Sequence, residues 1–396
     1  MNIGEMFGHG PVYGKNKIKF LCGDVVDVLK TLPDESVHCV VTSPPYFRLR
    51  DYGHPGQIGM ENTPGEFIEA LMTVFREVKR VLRSDGTCWI NLGDSYAGSG
   101  KSGSTKEGRA AHKQFNKIET NSRQVAPTKA GAIYPAGYQP MAPGYRPTGT
   151  LKGKDLIGTP WMLAFAMRED GYYLRSDIIW KKVSCAPESV KDRPSRSHEH
   201  IFMFSKSRQY FYDIEAIRQD SGANARDVWT IGLEQSPEKH YAQFCREIPR
   251  RVIRASTSHY GVCSVCGVPF VRELVKYRPS SYVAGDKDER AIEGWGKDVV
   301  TGKPLSTNRP LSSIYRDTQQ SKIITGGWKQ NCDCNSTVAA SVVMDPFGGS
   351  CTTGLVAAEL GRSAIMIDIK EEYLQMGHNR LKNAGFIKCL TDIVYI

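Results

Sequence analysis

A glycine-containing turn near the carboxyl end has the residue types that a nucleotide-like cofactor needs. The segment VVMDPFGGSCTTG predicts a strand, a turn over 345–350 and then a helix. Gly348 and Gly349 let the backbone approach a ligand closely, and the following helix offers free N–H groups. Asp345, at the end of the strand, suits a cationic, amino-acid-bearing ligand better than a pyrophosphate. Asp368 ends the next predicted strand, 20 residues after Gly348, where a carboxylate can accept ribose hydroxyls.

A second candidate motif, Ser43-Pro44-Pro45-Tyr46, follows the β-branched run VHCVVT. The run predicts a buried strand. Two consecutive prolines exclude both a helix and a central strand, so the motif is a rigid, extended turn at a strand end. Alone, such a turn is more often structural than functional. The functional interpretation therefore depends on its pairing with the glycine-containing turn.

Together the two motifs resemble those of the S-adenosylmethionine-dependent DNA amino-methyltransferases, which act on cytosine N4 or adenine N6. The Ser-Pro-Pro-Tyr box precedes the Asp-Pro-Phe-Gly-Gly turn, which is similar to the permuted β arrangement of that family. The resemblance covers roughly residues 15–95, 155–257 and 339–396. It implies an α/β, Rossmann-like domain with a mainly parallel sheet and circularly permuted motif order. The cofactor-binding residues that it implies are Asp24, Asp345, Phe347, Gly348, Gly349, Ser350, Thr352, Thr353 and Asp368.

The resemblance assigns catalysis to the box, and the chemistry of an exocyclic amine explains why. Such an amine is a poor nucleophile because its lone pair conjugates with the base. Two acceptors, Ser43 Oγ and the carbonyl of Pro44, can draw the nitrogen toward tetrahedral geometry while Pro45 keeps the turn rigid. Tyr46 offers a flat face on which a flipped base can stack. The lone pair then attacks the sulfonium methyl in line, and orientation supplies most of the rate.

The identity of the target base follows less directly. Carbon-5 cytosine methylation needs a thiolate, usually in a Pro-Cys pair, and none of the 11 cysteines follows a proline. Serine at the first position of the box is more typical of cytosine-N4 enzymes, so cytosine N4 is the prediction and adenine N6 the alternative. The sequence is also compatible with a non-catalytic nucleic-acid-binding module and with an RNA or protein methyltransferase. The resemblance itself implies site-specific DNA methylation of the restriction–modification kind.

Four cysteines form two close pairs in the third quarter and near the end of the chain. Cys263 and Cys266 flank a tight turn that Gly267 relaxes, and 65 residues separate Cys266 from the second pair, Cys332 and Cys334. Four thiolates suit tetrahedral zinc in a closed, structural site. The surrounding segment has little apolar patterning, so a metal could supply folding energy. We therefore predict a zinc-ribbon-like insertion that helps to read DNA.

The chain is basic, with a formal net charge of +10, which favours a polyanionic partner. Residues 97–154 hold ten basic and two acidic residues, a balance of +8 in a stretch without periodicity. Double-stranded DNA is the predicted partner, and this segment is predicted to contact its phosphates. Arg193, Arg196, His198 and Glu199 form a further polar group that favours neither a functional nor a structural role.

From these observations we predict that the 396 residues form one catalytic domain, interrupted by two insertions. The predicted parts are a first catalytic part (1–95), a basic flexible insertion (96–154), a second catalytic part (155–257), a zinc-ribbon-like insertion (258–338) and the cofactor-binding part (339–396). The sequence has no apolar run long enough to span a membrane and no secretion signal. An odd number of cysteines argues against a disulfide framework, so we expect a reducing, cytoplasmic location.

Overall fold

Apolar runs of two periodicities alternate along the chain, and in the computed structural model they form strands and helices. The structure describes residues 17–98, 150–185, 188–219, 221–232, 244–277, 322–334, 336–387 and 393–396. The first strands are β1 (Ile18–Cys22), β2 (Val37–Thr42), β3 (Leu82–Leu92), β4 (Tyr173–Lys182), β5 (His198–Ser205) and β6 (Val228–Ile231). The later strands are β7 (Val262–Cys263), β8 (Val271–Tyr277), β9 (Lys322–Lys329), β10 (Val338–Ala339), β11 (Val342–Asp345), β12 (Ser363–Asp368) and β13 (Val394–Tyr395). The helices are α1 (Val25–Thr31), α2 (Pro64–Val81), α3 (Thr159–Glu169), α4 (Glu247–Ser256), α5 (Thr352–Glu359) and α6 (Glu371–Asn383).

Nine of these strands form one sheet in the order β13-β1-β12-β11-β2-β3-β5-β4-β6. Among the described strands of this sheet, β5 alone runs antiparallel to its neighbours. The strand that leads into the glycine-containing turn, β11, is late in the sequence but lies at the centre of the sheet. It pairs with β12 on one side and with β2, which leads into the proline box, on the other. The predicted α/β class, mainly parallel sheet and permuted motif order are confirmed.

Helices cover both faces of the sheet, as a mainly parallel sheet requires. Helices α1, α2 and α3 contribute to one hydrophobic cluster, and α4, α5 and α6 contribute to the other. Strand β2 shows how the sequence serves both cores: Val40 packs into the first cluster, whereas Cys39 and Val41 pack into the second. This alternation explains why the run VHCVVT is apolar at nearly every position.

The chain separates into two units, of which residues 270–330 form the smaller. Its described part is the antiparallel pair of β8 and β9. The remaining described residues form the larger unit, which includes all four paired cysteines. The division therefore falls inside the predicted 258–338 insertion. Most of the predicted basic insertion, residues 99–149, lies outside the described residues.

At one place the local sequence pattern predicts a different structure from the one observed. Ser84-Asp85-Gly86 is typical of a turn before a strand over 87–92, but β3 is continuous from Leu82 with a register shift against β2. Arg83 pairs with Asp85 through two hydrogen bonds, at 2.8 and 3.0 Å. A Cβ at Gly86 would lie 2.8 Å from Leu82 Cδ1, so here glycine allows close packing instead of a turn.

Within the described part of the chain, no helix is both long and apolar enough to cross a lipid bilayer.

Candidate active site

The carboxyl ends of the central parallel strands enclose a cavity of about 380 Å³. Both sequence motifs contribute to its wall. The predicted residues that line the cavity are Asp24, Ser43, Pro44, Pro45, Tyr46, Asp345, Phe347, Gly348, Gly349, Ser350, Thr352 and Asp368. Ligands of open α/β sheets bind at this edge, so the geometry agrees with a binding site.

The glycine-containing turn fits tightly against β12. The Gly348 N–H donates to the carbonyl of Ile367 at 2.7 Å, and a Cβ at Gly348 would lie 3.0 Å from Met366 Cε. Gly349 has a φ of +49°, and Cys351, just before α5, has a φ of +57°. The missing side chain at Gly348 thus lets the turn pack closely against β12, and Gly349 adopts a left-handed backbone conformation that favours glycine.

Asp345 connects the two motifs. Its carboxylate is 3% exposed and accepts hydrogen bonds from Thr42 Oγ1 at 2.6 Å, Thr353 Oγ1 at 2.8 Å and the Phe347 N–H at 3.1 Å. Burial raises the pKa of this carboxyl to about 6, although the three hydrogen bonds oppose the shift. Three hydrogen-bond donors around the Asp345 carboxylate therefore belong to the protein itself. A direct contact between Asp345 and a cofactor stays a prediction.

Thr353 differs from the other predicted cofactor residues in its position. It is fully buried and donates to Asp345, and it is not among the residues that line the cavity. Ser350 and Thr352 do line the cavity, and Arg380 of α6 donates to their hydroxyl oxygens at 3.1 and 3.2 Å. The two hydroxyls are thereby held at the start of α5 by a cationic side chain.

Two acidic residues lie at the ends of neighbouring strands, across the cavity from the proline box. Asp24 follows β1 and caps α1, accepting from the Val26 N–H at 2.9 Å. Asp368 ends β12 and accepts from the N–H groups of Gly349 and Lys370, both at 2.8 Å. Burial raises the pKa of Asp368 to about 6 against the opposing effect of these hydrogen bonds. Either carboxylate could accept ligand hydroxyls.

The proline box lies directly after β2, with Pro44 buried and Ser43 and Tyr46 half-buried at the cavity. Tyr46 donates its phenolic hydrogen to Glu199 Oε2 at 2.6 Å. Its ring leaves no room for a side chain on the neighbouring strand end, because a Cβ at Gly93 would lie 2.6 Å from Tyr46 Cε2. Burial, with the negative charge of Glu199, raises the pKa of Tyr46 well above its ordinary value.

The cavity also has polar residues that sequence reasoning missed or left undecided. Asn91 Nδ2 donates to Glu199 Oε2 at 3.1 Å, and Lys182 forms an ion pair with Glu199. All three residues line the cavity beside Tyr46. Glu199 belongs to the polar group noted in the sequence. Its position near the start of the strand HEHIFMFS was the one sequence feature that indicated a place at the site. Lys182 is the last residue of β4 and Asn91 the last but one of β3, both strands pair with β5, and no local pattern distinguishes the two residues.

The two arginines of that polar group have structural contacts. Arg193 and Arg196 both pair with Glu188, at 2.7 and 3.3 Å. Their guanidinium groups also lie over the ring of Tyr96, at 3.8 and 5.4 Å from its centroid. Neither arginine lines the cavity.

The four paired cysteines lie together away from the cavity. One ligand atom from each of Cys263, Cys266, Cys332 and Cys334 lies within 4.8 Å of all the others. A tetrahedral zinc site with Zn–S bonds of about 2.3 Å places its sulfurs about 3.8 Å apart. Burial raises the pKa of the Cys263 thiol, but the N–H of Cys266 and the hydroxyl of Ser336 outweigh it and lower the value to about 6. The donor set therefore fits zinc.

Comparison with known families identifies the class. A family described as DNA methylase, of the N6 and N4 type, matches residues 37–263 and 334–379, which include the proline box and the glycine-containing turn. The chain belongs to this family of S-adenosylmethionine-dependent amino-methyltransferases, which confirms the resemblance noted in the sequence.

Individual relatives extend over most of the chain. The Type II methyltransferase M.SmaI of Serratia marcescens is 34% identical over 92% of this chain and 90% of its own length. The Type II methyltransferase M.Cfr9I of Citrobacter freundii is 48% identical over 59% of this chain and 71% of its own length. Among solved structures, the cytosine-N4-specific PvuII DNA methyltransferase shares the fold, with a TM-score of 0.50 and 17% identity over 94% of this chain and 89% of that one.

Proposed function

We propose that the chain transfers a methyl group from S-adenosylmethionine to the N4 amine of a flipped cytosine at a specific site in double-stranded DNA. The observation that carries this proposal is the single cavity shared by the proline box and the glycine-containing turn. The curated relatives are Type II methyltransferases, which supports a place in a restriction–modification system. The first residue of the box, Ser43, favours cytosine over adenine. At 17% identity, the similarity to the PvuII enzyme supports a shared fold and no more. The assignment of cytosine as the target base therefore rests on Ser43.

In the proposed mechanism, the chain binds the target amine and lets the bound cofactor supply an electrophilic methyl group. Ser43 Oγ and the Pro44 carbonyl each accept an amine N–H, which frees the nitrogen lone pair for attack. The C–N bond forms as the S–C bond breaks, its electron pair stays on sulfur, and one amine proton passes to solvent. Tyr46, held by Glu199, stacks on the base. Positioning is the main contribution of these residues.

The acceptor class is tested by incubating the protein with methyl-tritiated S-adenosylmethionine and three acceptors: mixed-sequence duplex DNA, RNA of the same sequence, and a bulk protein extract. The proposal predicts incorporation into duplex DNA alone. Incorporation chiefly into RNA or into protein would identify a methyltransferase of that class instead. Tight DNA binding without any incorporation would identify a non-catalytic binding module.

Cofactor binding is expected to depend on pH through Asp368. Its folded pKa of about 6 is raised by burial and by Glu372, and opposed by Lys370 and two N–H donors. A carboxylate accepts ribose hydroxyls best when ionised, and a cationic ligand also favours that form. Affinity for S-adenosylmethionine should therefore rise from about pH 5 to pH 7 and level off above, with proton release on binding.

Calorimetry at pH values from about 5 to 8 measures this dependence. In Asp368→Asn the rise should flatten and affinity above the folded pKa should fall. Asp345 has a similarly raised pKa, so Asp345→Asn is the matched comparison and should keep most of the rise. A wild-type affinity that is constant across the range would contradict the role of Asp368.

The DNA contacts are proposed from charge. The segment 97–154, with its +8 balance, is suited to bind phosphates along the duplex. Phosphate contacts position a protein, whereas contacts to base edges specify sequence. We propose that sequence is read by the insertion between residues 258 and 338, which includes β8 and β9.

We also propose one structural zinc ion on Cys263, Cys266, Cys332 and Cys334. The support is the closeness of the four ligand atoms and the tetrahedral preference of zinc for thiolates. Elemental analysis of the purified protein should find about one equivalent of zinc per chain. The zinc content should fall in Cys263→Ser. Cys185→Ser is the matched control, since this exposed cysteine lies outside the cluster. A metal-free, active protein would show the zinc site to be wrong.

A further inference from the structure

We infer that the four-cysteine metal site fastens the amino ends of the strands that carry the two active-site motifs, so that metal binding supports the cofactor site. The inference rests on the zinc proposal above, but it assigns the metal a role inside the catalytic unit instead of a role in reading DNA. It is carried by contacts that join the turn around Cys266 to β2, β3 and β11.

The first contact is made by His38, a polar residue in the apolar strand β2. His38 is 3% exposed, and both of its ring nitrogens are engaged. The N–H of Val342, the first residue of β11, donates to His38 Nδ1 at 3.0 Å. Nε2 therefore carries the ring hydrogen and donates to the carbonyl of Gly267, also at 3.0 Å. One imidazole thus links β2, β11 and the residue that follows Cys266.

The second contact is made by Arg83 at the start of β3. Its Nη1 donates to the carbonyl of Cys266 at 2.9 Å, while the same guanidinium is fixed by Asp85. Arg83 is 8% exposed, so this charged group is positioned and not free to move in solvent. Two consecutive carbonyls, those of Cys266 and Gly267, are therefore bound by the catalytic sheet.

The third contact is a short strand pair. Cys263 of β7 pairs with Val338 of β10, only a few residues before β11 begins. The Ser264 N–H donates to the Thr337 carbonyl at 3.0 Å, and the two hydroxyls lie 3.0 Å apart. The chain that leads into β11 therefore follows the second cysteine pair, and its short strand β10 is held by β7, which contains Cys263 of the first pair.

These contacts lie at the opposite ends of the strands from the cavity. His38 is four residues before Thr42, about 13 Å at 3.3 Å per residue. Thr42 and Asp345 end β2 and β11, and their 2.6 Å hydrogen bond joins the two motifs. Because His38 bridges the beginnings of the same two strands, it helps to set the register on which that hydrogen bond depends. A separate DNA-reading finger would not need these buried contacts.

The test uses the full chain and zinc itself as the probe. Zinc content, thermal unfolding and calorimetric affinity for S-adenosylmethionine are measured before and after chelation, and again after zinc is restored. We expect removal to lower the unfolding temperature and to weaken cofactor affinity by at least about fivefold, the lower end of typical couplings between linked sites. Restored zinc should return both values.

His38→Ala is the variant that separates the contact from the metal, because it leaves all four thiolates in place. It should retain about one equivalent of zinc, while zinc removal should change its cofactor affinity less than in the unmodified protein. His38→Ala also gives a result if chelation unfolds the whole chain. Weakened cofactor binding in this variant, with zinc still bound, supports the inference, whereas unchanged cofactor binding overturns it.

The two proposals fail in different ways. Absence of zinc from the purified protein would overturn the metal site itself. Zinc that is present, but whose removal leaves cofactor affinity and unfolding temperature unchanged while DNA affinity falls, would overturn the coupling and make the cluster a DNA-reading element.

Discussion

Replacing Ser43 or Tyr46 with Ala is expected to lower kcat by at least about 100-fold, the cost typical of removing one group positioned for the transition state. Affinity for S-adenosylmethionine should change little, because both side chains act on the target amine and its base. Tyr46→Phe should have a smaller effect, since it keeps the stacking face and loses only the phenolic hydroxyl, which donates to Glu199 at 2.6 Å. Single-turnover methylation and cofactor calorimetry separate the two quantities.

Two matched variants control for nonspecific damage. Ser84 and Tyr173 are exposed residues at the far ends of their strands, and neither lines the cavity. Ser84→Ala and Tyr173→Ala should leave kcat unchanged. If Ser43→Ala weakened cofactor binding and left the single-turnover rate intact, the assignment of the box to the amine would be wrong.

Replacing Asp345 with Ala is expected to weaken S-adenosylmethionine binding at least about tenfold, or about 1.4 kcal/mol. Three donors lose their acceptor in this variant: Thr42 Oγ1, Thr353 Oγ1 and the Phe347 N–H. The turn and the proline box would no longer be joined, so the cavity wall would lose its fixed shape. Calorimetry measures the affinity directly.

Asp345→Asn provides the conservative comparison. Its amide oxygen can still accept from Thr42 and Phe347, so its effect should be smaller than that of Asp345→Ala. Asp34→Ala removes a carboxylate whose side chain is 73% exposed, and it should leave affinity unchanged. Thermal unfolding is measured alongside, because a buried hydroxyl left unpaired costs about 1–3 kcal/mol of stability. If Asp345→Ala bound S-adenosylmethionine with full affinity, the proposed role of Asp345 in cofactor binding would be wrong.

The sequence predicts the central strands and both motifs because their signals are local. The β-branched run before Ser43 and the glycines after Asp345 each define a strand and its end. Parallel strands end at the same edge of the sheet, so the meeting of the two motifs follows from the fold. The hydrogen bond from Thr42 to Asp345 spans 303 positions and has no local signal.

The residues that sequence reasoning missed or left undecided are those whose partners are distant. Glu199 resembles any charge at the edge of a strand, and only its neighbours Tyr46 and Lys182 give it a place in the site. His38 sits in an apolar run, where a buried polar side chain must find partners. That signal was present in the sequence, but its partners, Gly267 and Val342, could be identified only in the folded chain.

The central claim is methyl transfer to an exocyclic amine, and nucleoside mass spectrometry tests it most directly. Mixed-sequence duplex DNA is incubated with the protein and S-adenosylmethionine carrying a trideuterated methyl group, then digested to nucleosides. Ser43→Ala provides the background. The account predicts N4-methylcytosine that carries all three deuterium atoms and is absent from the Ser43→Ala reaction. Deuterated N6-methyladenine would correct the base assignment, whereas deuterated 5-methylcytosine would contradict the mechanism.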